Sequence, residues 1–268
     1  MDKLLSYLKS NIMNKDTPIS LKTRMQSLLN KHNNNNFSSY KPYIISLKSK
    51  EILEYLNFQY NSISEKITQL KNYNDTLLSV SKSCYTRFNP SMIYTFNDEI
   101  HMVFYNTSDY PDLYNGNINK TLTTISSYVS RLFTKEFIKN NLDFEFTIHA
   151  KYLEFDKEYE TLNYLVWRQH DCKRNNIITL YKYFNKYFVC NSLDNITQTL
   201  FHNLTDIHIT HKDIECLIYG NILKKELVYI QNKQETELSL KKEFNISHEL
   251  FHINFKENMR KYILNTYL

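Results

Sequence analysis

Glycine is nearly absent from this sequence: only Gly116 and Gly220 occur in 268 residues. A phosphate-binding loop of the GxxxxGK type and a dinucleotide-binding turn of the GxGxxG type cannot be written with these two glycines. Any phosphate that the chain binds must therefore be held by side chains, by a metal ion or by helix N-termini. Asparagine is abundant instead, and it can occupy the turn positions that glycine usually takes.

Cysteines and long apolar runs are also scarce. The four cysteines form no CxxC pair and no Cys/His spacing typical of a zinc site, so we expect reduced and mostly buried thiols: Cys84, Cys172, Cys190 and Cys216. No stretch of about 18 apolar residues exists, and the N-terminal apolar run is too short and too interrupted for a signal peptide. These absences predict a soluble cytoplasmic protein with no membrane partner.

One Cys-free zinc pattern does occur. The segment HELFH, from His248 to His252, fits the HExxH spacing of zinc proteases. It lies near the C-terminus and no third ligand is obvious, so a zinc protease is a minor alternative here.

The bulk composition suits one large domain or a domain with an appended piece. The chain is 42% hydrophobic and 23% charged, with a formal net charge of +5. That mild basicity is compatible with a polyanionic partner such as RNA.

Apolar periodicity predicts the order of the secondary-structure elements. Alternation of Tyr43, Ile45 and Leu47 predicts a strand, and residues 92–106 predict a hairpin that turns around Asn97, Asp98 and Glu99. Helices are expected over residues 19–32, over 50–83 with an interruption near 71–75, over 119–140 and over 162–188, with a further strand over 144–155. Short helices and a hairpin around Gly220 are expected after residue 191.

This order, strand–helix–hairpin–helix–strand, is that of an α+β fold with a ferredoxin-like βαββαβ antiparallel sheet, covered by helices on one face. We predict three regions: an N-terminal helical segment with an Asn-rich loop at 1–36, the central βαββαβ domain at 37–190, and a C-terminal helical and hairpin extension at 191–268.

Two adjacent carboxylates interrupt the apolar run IYTFNDEIHMVF, which spans residues 93–104. Burying Asp98 and Glu99 near apolar neighbours is costly unless something neutralises them. The counter-charge is a metal ion, a basic side chain, or water at the end of a strand. The simpler interpretation is an exposed hairpin turn, because Asn-Asp is common in turns.

Three segments in the same order carry a family resemblance: YTFNDEIHMVF, NKTLTTISSYVSRLF and WRQHDCKRNN. The third is the most specific. Over roughly residues 17–230, the chain resembles tRNA-histidine guanylyltransferase and its relatives, the 3′-to-5′ polymerases.

The resemblance implies a polymerase-type palm, usually in a tetramer, that adds nucleotides to the 5′ end of tRNA with GTP and ATP as substrates. Two Mg²⁺ ions would clamp the attacking and leaving oxygens. It implies that Asp98 and Glu99 are catalytic metal ligands. It also implies that nucleotide contacts come from four further positions: Lys120, Asp75, Asn97 and Ser127. The alternative for Lys120 is a solvated lysine in the first turn of its helix.

The third segment implies contacts with tRNA from a polar cluster on an otherwise apolar helix: Arg168, Gln169, Asp171, Lys173, Arg174, Asn175 and Asn176. A buried polar network is the alternative interpretation of this cluster. Lys173 and Arg174 replace residues found in enzymes strict for histidine tRNA, and two cations suit sequence-neutral phosphate contacts.

The sequence departs from the family where the first metal-binding aspartate belongs. Lys48 occupies that position, or Asn57 in an alternative alignment, and Glu51 is a poor geometric substitute. Lys48 would itself supply the counter-charge of the acidic pair and would repel Mg²⁺. Two functions therefore stay open: a nucleotidyltransferase with weakened activity, and a catalytically degenerate homologue that binds tRNA or another RNA or serves as an oligomeric scaffold.

Overall fold

One six-stranded antiparallel sheet organises the protein. The computed structural model describes residues 20–29, 41–52, 54, 62–105, 113–139, 145–184, 193–206, 209–231 and 238–247. The strands are β1 (Tyr43–Lys48), β2 (Met92–Phe96), β3 (Glu99–Phe104), β4 (His149–Glu154), β5 (Asn221–Gln231) and β6 (Leu238–Ser247). Their spatial order is β4-β1-β3-β2-β5-β6, and every neighbouring pair is antiparallel. The first four strands give the predicted βαββαβ sheet.

The described helices are α1 (Leu21–Leu29), α2 (Ile63–Phe88), α3 (Ile118–Lys139), α4 (Glu158–Phe184), α5 (Leu193–Asp206) and α6 (His211–Tyr219), with a short 3-10 helix at Leu113–Gly116. The Ser62 side chain accepts a hydrogen bond from the Glu65 N–H and so caps α2, which ends at Asn89 in the left-handed conformation. The predicted interruption near residues 71–75 is wrong. Tyr73 and Leu77 keep facing the core there, and this packing maintains the helix.

The alternation of β1 divides its side chains between two cores, which confirms the predicted strand. Tyr43, Ile45 and Leu47 pack with α2 and α3 on one face. Ile44 faces the other core, with side chains of α1 and α4. The expectation of helices on one face only is therefore wrong. Because both faces are covered, every residue of β2 and β3 is buried.

The segment after residue 191 extends the same sheet. β5 pairs with β2, and β6 pairs with β5. Helices α5 and α6 pack against α4 and the N-terminal half of α2 in a third core, which includes Ile67, Ile177, Leu200 and Ile214. The sheet therefore continues across the predicted domain boundary.

Gly220 joins α6 to β5, so the hairpin predicted around it is wrong; the hairpin there is formed by β5 and β6. The residue has φ +77°, and an added Cβ would lie 2.7 Å from the Thr95 carbonyl oxygen and 2.8 Å from Phe96 Cβ. Only glycine fits this approach without strain. The HELFH segment and Asn57 lie outside the described residues.

Two other predictions from the sequence concern composition. Cys84 and Cys172 are buried free thiols and Cys216 is a partly buried one, while Cys190 lies outside the described residues. Among the described helices, none is long and apolar enough to cross a membrane.

Candidate functional site

Strand register brings the acidic pair to the end of β1. Glu99 is the first residue of β3 and lies opposite Lys48, the last residue of β1. Directly paired residues project from the same face of a sheet, so the two side chains meet. Asp98 precedes Glu99 in the two-residue turn, and its carbonyl accepts the backbone N–H of Ser49 at 3.1 Å. The predicted proximity of Lys48 to the acidic pair is confirmed.

Asn97 shapes the turn and ties it to the helices. Its φ is +47°, a left-handed conformation that asparagine tolerates because its short amide bonds locally. The Asn97 amide donates to Asn176 Oδ1 of α4 at 2.8 Å. Asn176 in turn donates to the Leu217 carbonyl of α6 at 2.7 Å. The hairpin tip, α4 and α6 are therefore joined by side-chain amides.

Two basic side chains supply the counter-charge of Glu99, and a histidine adds a hydrogen bond. Lys48 Nζ lies 2.8 Å from Glu99 Oε1. Arg168 Nη2 lies 2.8 Å from Oε1 and 2.7 Å from Oε2. His101 Nε2 lies 2.9 Å from Oε2. The sequence left open a metal ion, a basic side chain or water as the counter-charge. The structure shows basic side chains in contact with the carboxylate.

These contacts keep Glu99 ionised although it is only 5% exposed. Burial by itself would raise the pKa of Glu99, but the hydrogen bond from His101, together with the contacts of Arg168 and Lys48, lowers that pKa well below its usual range. Burial lowers the pKa of His101, which lies at 0% exposure. His101 is then neutral at pH 7, with Nε2–H donating to Glu99 and Nδ1 facing the Tyr164 hydroxyl at 3.4 Å.

Asp98 has a different environment from its neighbour. Lys48 Nζ lies 3.7 Å from Asp98 Oδ2, beyond hydrogen-bond distance but close enough for an ion pair. Burial raises the pKa of Asp98, and the charge of Lys48 opposes this only in part. The two adjacent carboxyl groups therefore have pKa values shifted in opposite directions.

The donor set does not fit a two-metal centre. Both oxygens of Glu99 already contact cations or His101, and Lys48 stands beside Asp98. Glu51 accepts hydrogen bonds from Thr147 at 2.8 Å and Ser49 at 3.2 Å. Within the described ranges, no group of three His, Cys, Asp or Glu side chains is arranged to hold a metal ion. Mg²⁺ needs oxygen ligands with room around the ion, and here cationic side chains occupy that space.

A cleft of about 250 Å³ opens beside this cluster. Its lining includes six of the residues predicted from the sequence: Asn97, Asp98, Glu99, Arg168, Asn175 and Asn176. Lys48, Tyr183 and the side chains of Leu70 and Leu217 complete much of the wall. The cleft therefore combines charged, amide, aromatic and aliphatic surfaces.

Lys120 lies away from this cleft. Its ammonium group is 5.5 Å from the centroid of the Tyr114 ring. Phe133, further along the same helix, packs on Phe146, which precedes the β4 residue paired with Lys48. At 1.5 Å per residue, Lys120 is about 20 Å along the helix from Phe133. Its expected proximity to the acidic pair is therefore wrong, because α3 begins at the opposite end of the sheet. Asp75 and Ser127 are exposed, and neither they nor Lys120 are among the described residues that line the cleft.

The polar cluster of α4 is divided between the interior and the surface. Arg168, with a 15% exposed side chain, lies over Phe96 and Trp167 and donates to Glu99 and Asp171. Gln169 is fully buried. Two neighbours on the next turn, Arg174 and Asn175, are exposed, and Lys173 lies over the Tyr219 ring. The buried side of this cluster is a polar network, and contact of its exposed side with tRNA stays a prediction.

Sequence reasoning missed His101 and Tyr164 as members of the site. The period of a strand contained the signal for His101, because a residue two positions from Glu99 faces the same way. Tyr164 carried no such local signal, since it reaches the cluster from α4, 63 residues beyond His101 in the sequence.

Comparisons with known proteins found one curated relative and several solved structures. No family model matches the chain. An uncharacterised protein of Acanthamoeba polyphaga mimivirus, R259, is 28% identical over 210 residues, which cover 65% of this chain and 67% of that protein.

Solved structures match over most of the chain. A bacterial tRNA(His) guanylyltransferase-like protein in complex with ATP has a TM-score of 0.59 at 16% identity, covering 93% of this chain and all of that one. The same kind of protein in complex with GTP has a TM-score of 0.55 with the same identity and coverage. The tRNA(His) guanylyltransferase of Saccharomyces cerevisiae has a TM-score of 0.50 at 14% identity, covering 72% of this chain and 89% of that one.

The sheet order and the packed helices define a palm-type α+β fold. In particular, it is the fold of the tRNA(His) guanylyltransferase-like proteins. The predicted fold class is therefore confirmed. At 14–16% identity these matches establish the fold.

Proposed function

We propose that this protein binds RNA at the cleft beside Asp98 and Glu99 and does not transfer nucleotides by a two-metal reaction. One observation carries the proposal: Lys48, at the position where the resemblance expects the first metal-binding aspartate, lies 2.8 Å from Glu99. A cation thus stands where the two-metal reaction would need a carboxylate.

The electrostatic cost supports the loss of metal. Two unit charges 4 Å apart interact by about 4 kcal/mol at an effective dielectric constant of about 20, and a divalent ion doubles that figure. Lys48 would repel such an ion, while Arg168 competes for the Glu99 oxygens that would bind it. The repulsion is large enough to weaken Mg²⁺ binding by several orders of magnitude.

The chemistry of the cleft suits a nucleotide at the end of an RNA chain. The Lys48 side chain is 52% exposed, so its ammonium group remains accessible to a phosphate. Asn97, Asn175 and Asn176 carry amides that donate and accept hydrogen bonds with base edges. The Tyr183 ring lies in the same lining and offers a face on which a base stacks.

Side chains at the surface of α4 would extend the contact along the RNA backbone. Lys173 and the exposed Arg174 lie between Arg168 and Asn175, two cleft residues of the same helix. Cations that are not fixed to a base edge contact phosphates whatever the sequence. The buried Gln169 would act by holding the helix in place, and Arg168 and Asp171 by holding the acidic pair.

The structural neighbours support a nucleic-acid substrate, because they are tRNA guanylyltransferase-like proteins and two of them hold ATP or GTP. An enzyme with weakened activity remains the second candidate, since Asp98 and Glu99 do line the cleft. In that enzyme Lys120, Asp75 and Ser127 would need a conformation that brings them to the nucleotide.

The test compares binding with catalysis in one preparation. A 3′-labelled tRNA transcript that lacks its first nucleotide is incubated with the protein, ATP, GTP and Mg²⁺, and extension is followed on a sequencing gel. Binding of the same RNA is followed by fluorescence anisotropy with Mg²⁺ or with EDTA. We expect binding that weakens with salt, that does not need Mg²⁺, and that occurs without extension.

Mg²⁺-dependent extension would overturn the proposal in favour of the enzyme. Absence of RNA binding at moderate salt, by a protein that is folded by circular dichroism, would reject both candidates. The double variant Lys173→Gln/Arg174→Gln should bind more weakly than a control that loses two charges elsewhere, Lys22→Gln/Lys151→Gln.

A further inference from the structure

A basic stripe lies on the helical layer that covers the other face of the sheet. It is formed by Arg87 at the end of α2 and by Tyr128, Arg131 and Lys135 of α3. The three α3 residues are spaced by three and four positions, so they share one side of the helix. The helices α2 and α3 pack on the Tyr43, Ile45 and Leu47 face of β1, whereas Arg168 of the cleft belongs to α4 on the opposite face.

The two arginines share one aromatic ring. The Arg87 guanidinium lies 5.1 Å from the centroid of the Tyr128 ring, and the Arg131 guanidinium lies 5.3 Å from it. Tyr128 is itself fixed by an edge-to-face contact with Phe88 at 5.3 Å. The ring therefore holds two like charges close together in defined positions.

The part of the chain that the structure describes offers these cations no acidic partner. Among the described residues, no carboxylate lies within ion-pair distance of Arg87, Arg131 or Lys135. Arg87 is favourable at a helix C-terminus, but Arg131 is in mid-helix and gains nothing from the helix dipole. An anion bound between the two guanidinium groups would relieve their mutual repulsion.

Helices α2 and α3 together carry an excess of positive charge. They contain eight Lys and Arg residues and three Asp and Glu residues, an excess of five that equals the formal net charge of the chain. This excess favours the approach of a polyanion to these two helices.

We propose that the basic stripe is a second RNA contact, which binds two adjacent phosphates of the sugar–phosphate backbone through Arg87 and Arg131. This inference rests on the proposed RNA binding and adds a surface that the cleft does not include. Guanidinium forks match phosphate oxygens in pairs, and an arginine held on an aromatic ring loses little freedom on binding. An anionic membrane is the less suitable partner. Of the described residues, only Ile138 and Tyr159 are exposed large apolar side chains, and a surface-bound helix needs a whole apolar face.

The experiment measures how RNA binding depends on salt. The wild-type chain and the double variant Arg87→Gln/Arg131→Gln are titrated with the 3′-labelled tRNA transcript at several salt concentrations. We expect the slope of log K against log salt to fall by about 1.5 in the variant, and the affinity at 0.15 M salt to fall about tenfold, because each lost phosphate contact releases roughly 0.7–0.9 fewer counterions. The control Lys22→Gln/Lys151→Gln removes the same charge from exposed positions elsewhere and should keep the slope.

Three outcomes would overturn the proposal. If the wild type binds RNA and the stripe variant has the slope of the control, the stripe is not an RNA contact, although the cleft remains one. If the wild type binds no RNA, the proposed function and the stripe both fall. If the stripe variant keeps RNA binding but loses binding to vesicles of anionic phospholipid, the stripe is a lipid contact. If the double variant unfolds, the single variant Arg131→Gln, at an exposed mid-helix position, replaces it. We expect that variant to show half the change in slope.

Discussion

At the scale of single residues, Glu99 and Asp98 show how neighbouring carboxyl groups acquire opposite properties. Glu99 points to the face where Lys48, Arg168 and His101 converge, and it stays charged inside the protein. Asp98 lies in the turn with a single cation at 3.7 Å, and burial raises its pKa. The difference arises because the two adjacent side chains project in different directions, and only that of Glu99 reaches α4.

We expect Arg168→Met to reduce the free energy of unfolding by about 3–5 kcal/mol, since it leaves the buried Glu99 carboxylate without its main partner. Lys48→Met is the matched control. Its half-exposed ammonium group is partly screened by solvent, so the loss there should stay below about 1 kcal/mol. Urea unfolding followed by circular dichroism measures both, and equal losses in the two variants would contradict this account of Glu99.

Stability should also fall as the pH drops below about 6.5. Burial holds the pKa of folded His101 below its ordinary value of 6.5, so in this range the unfolded chain binds a proton that the folded chain does not. Glu99, whose pKa is lowered, adds a loss in the same direction below its ordinary value of 4.5, whereas the raised pKa of Asp98 acts the other way.

The measurement is the slope of the unfolding free energy against pH, from about pH 7.5 to about pH 5.5. His101→Gln should flatten that slope even if it lowers stability overall, and His202→Gln, at an exposed position of α5, should leave it unchanged. A wild-type slope that His101→Gln does not alter would refute the assignment.

At the scale of elements, the distance between neighbouring backbones decides which residue types fit at a helix end. The junction between α6 and β5 passes so near β2 that Gly220 has no room for a side chain. Asn89 follows α2 in the left-handed helical conformation, with φ +49° and ψ +50°, and it faces solvent. Gly220 has φ +77° and ψ −166°, outside that region, so the two helix ends differ both in backbone conformation and in surroundings.

Gly220→Ala should therefore destabilise the protein by about 2–4 kcal/mol, through backbone strain and the displacement of Thr95 and Phe96. Asn89→Gly is the control and should change stability by less than about 1 kcal/mol, because glycine accepts the left-handed conformation at least as well. Thermal unfolding of the two variants measures both changes in stability. Equal stability of Gly220→Ala and the wild type would mean that the junction is less crowded than the structure shows.

At the scale of the whole molecule, the palm-type sheet places basic side chains against the acidic pair. The sheet register that pairs Lys48 with Glu99 would equally pair an aspartate with it. The substitution Lys48→Asp reverses the sign of the charge at that point without changing the topology of the sheet.

We expect Mg²⁺ to stabilise the Lys48→Asp variant but not the wild type. With 10 mM ion and a dissociation constant of about 1 mM, binding to the folded state adds about 1.4 kcal/mol. Thermal unfolding with Mg²⁺ or with EDTA measures the shift, and Lys50→Asp, which changes an exposed neighbour to the same residue, is the control. An equal response of the wild type to Mg²⁺ would show that Lys48 does not exclude the ion.

The local elements of this protein could be read from its sequence because their signals are short-range. The alternation of Tyr43, Ile45 and Leu47, the turn after Phe96 and the helical spacing of α3 all lie within one segment, and the structure contains each of them. Gly220 was placed in a hairpin turn because a lone glycine carries no information about the strand that approaches it.

The sequence by itself determined the acidic pair, the lysine opposite it and the order of elements that makes a palm-type sheet. Only the tertiary structure decided that Arg168, 69 residues from Glu99, is its principal partner, that His101 is buried and neutral, and that Lys120 lies at the end of the sheet away from the acidic pair. The reason is physical: periodicity fixes which way a side chain points within its own element. What that side chain meets depends on how distant elements pack, and burial then sets the charge.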